Sequence, residues 1–219
     1  MRVGVIADVH ANLVALRAVF EDMPAVDAVI CAGDVVGYNP WPGACVEALR
    51  ERGIGTVMGN HDRAVVTGTG FAGNRMADAG VRHAQEVLDD DDLTWLRGLP
   101  NVRHCFDDRV KVVHGHPEDP DRYTYPALFS ERLLDAEDVL VMGHTHVQAH
   151  ETFDDRVVMN PGSVGQPRDG DPRAAYAVVD LAGPTVEERR VDYDVEAVVA
   201  AIEEGGLPEE TGSRLRKGR

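Results

Sequence analysis

Short apolar runs that each stop at an aspartate, asparagine or histidine constrain this chain more than any other feature. Arg2 to Ala7 stops at Asp8-Val9-His10, Ala28 to Ala32 at Gly33-Asp34, and Ile54 to Met58 at Gly59-Asn60-His61-Asp62. Val110 to Val113 stops at His114-Gly115, and Val139 to Met142 at Gly143-His144-Thr145-His146. In open α/β sheets ligands gather beyond the carboxyl ends of the strands, so these endings bring oxygen and imidazole groups to one edge. Asp8 with His10, and His144 with His146, stand two residues apart, which points both side chains to one side if strand geometry continues. Gly33, Gly59 and Gly143 each precede such a residue where the backbone must turn tightly. One DxH or one GD alone reads more readily as a cap, a turn or a satisfied polar group than as a ligand. Five such endings together point to a metal site.

The intervening segments have the periods needed to build that sheet. Residues 2–7 predict a strand; Leu13, Leu16, Phe20 and Met23 then recur at helical spacing up to Pro24, with Asn12 as the N-cap. Strands are predicted over 28–32 and 54–58, a helix over 43–52, and a helical stretch over 75–98 that breaks near Asp89 to Asp92. Strand and helix alternate, so this half predicts a largely parallel sheet. After residue 100 antiparallel features dominate: strands over 102–106, 110–113 and 139–142, a hairpin across Asp154-Asp155, and a second hairpin over 174–193. A last helix is expected over 195–203. The prediction is therefore one domain over 1–204 and a mobile tail over 205–219, whose RLRKGR ending is available to a partner.

Length and composition exclude several classes. The 219 residues, 43% of them hydrophobic, suit one domain with one site. No apolar run approaches the roughly 20 residues of a membrane span, and the first strand is too short for a signal-peptide core; a cytoplasmic protein is expected. Cys31, Cys45 and Cys105 are widely spaced and form no CxxC pair, so they are read as reduced. Thirty-eight acids against 22 bases give a net charge of -16, which repels polyphosphate and disfavours nucleic acid as a partner. A salty cytoplasm would screen that self-repulsion. No feature fixes the oligomeric state.

With its DxH, GD, GNHD, H and GHxH motifs in that order over residues 8–146, the chain resembles the calcineurin-like metallophosphoesterases, and specifically their small prokaryotic phosphodiesterase branch. The resemblance implies an α/β protein, a four-layer α/β/β/α sandwich with mixed sheets, around a dinuclear metal centre. Matched position by position, it implies that Asp8, His10 and His146 hold one metal, that Asn60, His114 and His144 hold the second, and that Asp34 bridges them. The carboxylate, imidazole and amide donors suit Mn, Fe, Zn, Co or Ni better than the all-oxygen shell of Mg or Ca; Mn is the expected occupant.

Two such metals lower the pKa of a bound water toward 7 and clamp a phosphoryl oxygen, so a metal-bound hydroxide is the expected nucleophile. The family position for protonating the leaving group is His61, with Asp62 expected to orient its imidazole. Asn12, His116 and Arg168 are candidate substrate contacts, the last within a loop from Asn160 to Arg168 that is similar to a segment near the site in small family phosphodiesterases. Family protein phosphatases carry an Asp-Arg pair after GD; Gly33-Asp34-Val35-Val36-Gly37-Tyr38 lacks the arginine. A small phosphodiester or nucleotide is therefore the expected substrate, and Tyr38, Trp41 and Tyr123 are candidates for stacking a base. The alternatives are a phosphomonoesterase, a protein phosphatase, or a noncatalytic metal-binding scaffold, such as the retromer subunit that shares this fold.

Overall fold

Alternation of side chains along the strands builds the centre of the molecule, which a computed structural model describes over residues 1–219. Strand β1 (Arg2–Ile6) sends Val3 and Val5 to one face, and β9 (Ala174–Asp180) sends Ala177 and Val179 to the same face. From the other sheet β5 (Val110–Val113), β6 (Val139–Val141) and β8 (Arg156–Asn160) contribute Val110, Val112, Val139, Val141, Val157 and Met159. These side chains meet in one buried layer, so two sheets pack face to face.

The first sheet runs β10-β9-β1-β2-β3, where β2 is Ala28–Cys31, β3 is Gly55–Thr56 and β10 is Thr185–Val191. β1, β2 and β3 are parallel, and β9 joins β1 antiparallel. The second sheet runs β4-β5-β6-β8-β7, where β4 is Val102–Cys105 and β7 is Ala149–Phe153. Its centre, β5-β6-β8, is parallel, while β4 and β7 pair antiparallel at its edges. Parallel centres align the carboxyl ends of β1, β2, β5 and β6.

Helices α1 (Leu13–Asp22), α2 (Pro42–Glu51), α3 (Asn60–Thr67), α4 (Arg75–Val87) and α5 (Asp90–Arg97) cover the outer face of the first sheet. The expected break at the acidic run is present: Asp89 caps α5 by accepting from the Asp92 amide, and three aspartates in the first turn suit the positive end of the helix. Helix α3 begins inside the GNHD motif, with Gly59 as its N-cap and Asn60, His61 and Asp62 as its first turn, where periodicity over eight residues carries little signal. Over the second sheet the outer layer is thin: Phe129 and Leu134, beside two 3-10 turns at Pro126–Leu128 and Glu131–Leu133, pack on Leu140, Met142 and Val158.

The mobile tail expected over 205–219 is corrected by the structure. After α6 (Val195–Glu204), residues Glu209–Leu215 form α7, and Leu207 and Leu215 bury against Val198 and Ile202 of α6. Only two apolar anchors in a charged segment escape a periodicity argument, yet burying each is worth about 1.5–3 kcal/mol. No helix is long and apolar enough to cross a membrane.

Candidate metal centre

The ligand residues converge through left-handed backbone. Strand geometry does not continue through DxH and GHxH: β1 ends at Ile6, and Asp8, His10, Asp34, His144 and His146 all have φ between 47° and 67°. Non-glycine residues in this region each cost on the order of 1–3 kcal/mol and persist only where the surroundings impose them. Here backbone bonds impose them: the Asp8 amide donates to Gly33 O and the His10 amide to Asp34 O, each at 2.9 Å, tying the first ligand loop to the second. Glycine is required twice: Gly33 has φ 88°, and a Cβ on Gly59 would lie 2.0 Å from Asp34 Oδ1.

Two buried donor clusters result: Asp8, His10, Asp34 and His146 in one, Asp34, His114 and His144 in the other, with the donor atoms of each within 4.8 Å of one another. Asp34 belongs to both. Asn60 joins the second, its Oδ1 3.0 Å from His114 Nε2. In the first, His10 Nε2 lies 3.1 Å from His146 Nε2 and 3.6 Å from Asp34 Oδ2.

The imidazoles are already oriented for a cation. Nδ1 of His10, His146 and His114 faces the backbone carbonyls of Val36 (3.1 Å), Gln166 (2.5 Å) and Ala32 (2.7 Å). Each Nδ1 therefore carries a proton and turns Nε2 into the cluster, the arrangement of metal-ligating histidines. His144 is reversed: its Nε2 faces Asp121 O at 3.1 Å, which leaves Nδ1 for the cluster. Two imidazole nitrogens facing each other at 3.1 Å beside buried carboxylates fit a divalent cation.

Ionisation follows from this packing. Burial lowers the pKa of His61 and of His144 to about 4 and takes His10 and His146 well below the ordinary range. Burial alone would raise Asp34, but His114, His61 and His10 hold it well below the usual carboxylate range. Burial likewise works against protonated His114, yet Asp34 pushes its pKa up to about 9. In the protein alone these two form a buried ion pair, and a cation would replace the His114 proton.

Several predicted residues have other work than expected. Asp62 does not orient His61: its Oδ1 accepts the amides of Val35 (2.9 Å) and Val36 (3.1 Å) and its Oδ2 that of Gly59 (3.0 Å). It caps α3 and pins the chain after Asp34; an acidic residue three positions beyond Gly59 was the available signal for such a cap. Asn12 is buried and caps α1, its Oδ1 accepting from the Ala15 amide and its Nδ2 donating to Gly165 O, both at 3.1 Å. His116 lies outside both clusters, its Nδ1 accepting from the Glu118 amide and its Nε2 3.4 Å from Arg122.

His61 lies beside the clusters among Tyr38, Phe71 and His10, with ring centroids at 4.7, 4.5 and 4.8 Å, and its buried Nδ1 has no partner. The Asn160 to Arg168 loop runs along the ligands: Ser163 Oγ donates to Asp8 O at 2.7 Å, and the Val164 and Gly165 amides donate to Ala7 and Asp8. At its end Arg168 donates to Tyr38 Oη (3.2 Å) and Gln166 Oε1 (2.8 Å), and its charge acts on Asp8, His10, His61, His144 and His146.

A cleft of ≈ 380 Å³ opens beside Asn60 and His144, lined by Arg63, Phe71, Asp121 and Tyr123. Of the three aromatic candidates for a base, Tyr38 is buried and Trp41 packs beside α6 and α7, whereas Tyr123 is 45% exposed and stacks on His144 with centroids 4.0 Å apart. A larger hollow of ≈ 580 Å³ between Phe20, Val29 and Arg52 holds none of the ligand residues.

Comparison with known proteins agrees with this geometry. Residues 1–183 match the Calcineurin-like phosphoesterase superfamily domain. The chain belongs to that family. An uncharacterized protein of Methanocaldococcus jannaschii is 32% identical over 99% of this chain and 98% of its own. Phosphodiesterase YfcE of Escherichia coli is 28% identical over 82% of this chain and 88% of its own. Among solved structures, a metallophosphoesterase from Sphaerobacter thermophilus superposes with a TM-score of 0.88 at 36% identity, covering 100% of this chain and 99% of that one. The fold is thus the metallophosphoesterase fold, and the family's metal dependence matches the buried histidine and aspartate clusters.

Proposed function

We propose that this calcineurin-like phosphoesterase holds two divalent metal ions, with Mn preferred, and hydrolyses a small phosphodiester or nucleotide. The observation that carries this reading is the pair of buried donor clusters sharing Asp34. Asp8, His10 and His146 are assigned to one ion, Asn60, His114 and His144 to the other, and Asp34 to both. Ions there would supply Lewis acidity toward a phosphoryl oxygen and lower the pKa of a water. The chain's own groups do the rest. Val36, Gln166 and Ala32 fix the imidazole tautomers through their carbonyls, and Arg168 places a fixed positive charge beside the clusters.

His61 is assigned the proton for the leaving oxygen. Burial keeps its imidazole neutral at pH 7, and an approaching phosphate anion raises its pKa, so proton uptake is tied to substrate binding. Tyr123, exposed over His144, offers a face on which a nucleotide base stacks. Turnover of bis(4-nitrophenyl) phosphate with added Mn²⁺, lost in Asp34→Asn together with both metal equivalents, tests the reading. A protein that binds metal but turns over no phosphate ester with any of Mn, Fe, Zn, Co or Ni would instead be a scaffold.

A further inference from the structure

Asp62 holds three backbone amides, and Nδ1 of the buried His61 ring has no partner. Packing fixes the ring instead. Along its Nδ1 edge lies Gly37: a Cβ there would come within 2.4 Å of Nδ1 and 3.1 Å of Cγ, so the imidazole rests directly on glycine backbone. Gly37 (φ 96°) and Tyr38 (φ 59°) are both left-handed, a conformation that glycine takes freely and tyrosine only under constraint. The constraint comes from α4, where a Cβ on Gly80 would lie 2.0 Å from the Tyr38 nitrogen. The Gly37-Tyr38 turn is thus wedged between α4 and His61.

The rest of the seat is aromatic. Phe71 lies 4.5 Å from the His61 centroid at 31° and Tyr38 lies 4.7 Å away at 39°, whereas His10 meets the ring edge-on at 77°. Phe71 reaches this place from an exposed loop. Residues 68–73, Gly-Thr-Gly-Phe-Ala-Gly, join α3 to α4, and Phe71 alone among them is half-buried. The loop is bounded by Gly68 (φ 72°), which ends α3, and Gly73 (φ 84°), both in backbone that favours glycine and both with open space where a side chain would be. A loop of small exposed residues is therefore anchored through one ring. That ring packs on His61 and also lines the ≈ 380 Å³ cleft beside Asn60 and His144, which His61 itself does not line.

We propose that Phe71 is a positioning residue for His61: it presses the imidazole against the Gly37 backbone, and the loop that carries it sets which leaving groups receive a proton. The inference rests on the assignment of His61 to the leaving oxygen. Phe71→Ala, Phe71→Leu, His61→Ala and the double variant Phe71→Ala/His61→Ala are compared by turnover, bound Mn²⁺ and the rate at which diethyl pyrocarbonate modifies His61. Phe71 lies in an exposed loop, so Phe71→Ala is expected to fold and to keep the wild-type Mn²⁺ stoichiometry. Misplacing a reacting group by about 1 Å costs up to about 10²-fold. The kcat for alkyl phosphodiesters should therefore fall about tenfold to a hundredfold at unchanged KM, and that for bis(4-nitrophenyl) phosphate by less than about twofold, with Phe71→Leu restoring part of the loss. In the His61→Ala background Phe71→Ala should cost nothing further, because both changes act through one group. His61 is 4% exposed, and its modification should be about threefold to tenfold faster in Phe71→Ala, the factor by which losing one aromatic contact shifts an opening equilibrium. Equal losses on both ester classes, the same loss with and without His61, or an unchanged modification rate overturns the proposal. Absence of wild-type turnover with any ester would defeat the phosphoesterase reading, and the modification rate would still decide whether Phe71 holds His61.

Discussion

Replacing Asp62 separates a structural carboxylate from a chemical one. Three buried amides end on this side chain, two on Oδ1 and one on Oδ2. Each buried donor left unsatisfied costs about 1–3 kcal/mol, so Asp62→Ala, after relaxation and water entry, is expected to lose about 3–5 kcal/mol. Asp62→Asn keeps Oδ1 for Val35 and Val36 but turns an NH₂ toward the Gly59 amide, so it loses about 1–3 kcal/mol. Urea unfolding of the metal-stripped proteins, with the m-value unchanged, reads both numbers.

The functional consequence has a distinct signature. Val35 and Val36 follow Asp34, and Gly59 precedes Asn60, so loosening these amides shifts two candidate metal ligands. Apparent Mn²⁺ affinity is expected to fall by about 10- to 100-fold, as for other groups that position ligands, while turnover returns at saturating metal. If Asp62→Asn keeps its stability yet loses turnover at saturating metal, the carboxylate acts on His61 or on substrate, and the capping account is wrong.

His61→Ala is expected to retain metal and to lose about 10²- to 10⁴-fold in turnover of alkyl phosphodiesters, with much less effect on 4-nitrophenyl esters; equal losses on both would remove it from protonation. The same variant tests its ionisation. The folded pKa of about 4 lies below the ordinary 6.5, so the unfolded chain takes up this proton first and stability present above pH 6.5 is lost as pH falls toward 4. The stability difference between wild type and His61→Ala should therefore narrow by about 2 kcal/mol between pH 7 and 5 in metal-free protein, and a constant difference refutes it. Tyr123→Ala should raise KM for nucleotide esters by about fivefold to tenfold and leave that for bis(4-nitrophenyl) phosphate nearly unchanged; a common change in both would make Tyr123 a support for His144 only. The net charge of -16 predicts that the unfolding midpoint rises with KCl up to about 1 M, where the Debye length falls to about 3 Å; a flat or falling midpoint rejects self-repulsion.

The candidate metal ligands were legible because two independent patterns coincide in them: an apolar run that must be a strand, and a polar residue at its carboxyl end. The two-sheet core was legible for the same reason, since Val110, Val112, Val139 and Val141 lie on one face of runs too short to be helices. What escaped depends on contacts between distant segments. Nothing local in Asp62 distinguishes a residue that holds Val35 from one that orients His61, because the deciding amides lie 26 and 27 residues away. The C-terminal helix escaped because two apolar anchors, Leu207 and Leu215, are too few to set a period, and their burial is visible only once α6 is in place.

The same contacts explain how a costly site is held. Five of the seven candidate ligands sit in left-handed backbone, at on the order of 1–3 kcal/mol each, and the clusters bring buried carboxylates together. A fold of ordinary stability, about 5–15 kcal/mol, sustains this only if each strained residue is over-determined. The structure shows how: Asp8 is held by Gly33, by the His144 amide and by Ser163, and His146 by Gln166 and the Arg168 amide. Strain is thus distributed over the loop from Asn160 to Arg168 and the turn after Asp34, and the C-terminal segment closes just beyond that loop, where the Gly170 amide donates to Gly218 O. A cation drawn between these ligands relieves the facing imidazoles and the buried carboxylates together, so metal affinity and folding stability draw on one set of contacts. That coupling makes the bracing residues, and not the ligands alone, the determinants of which ions the site retains.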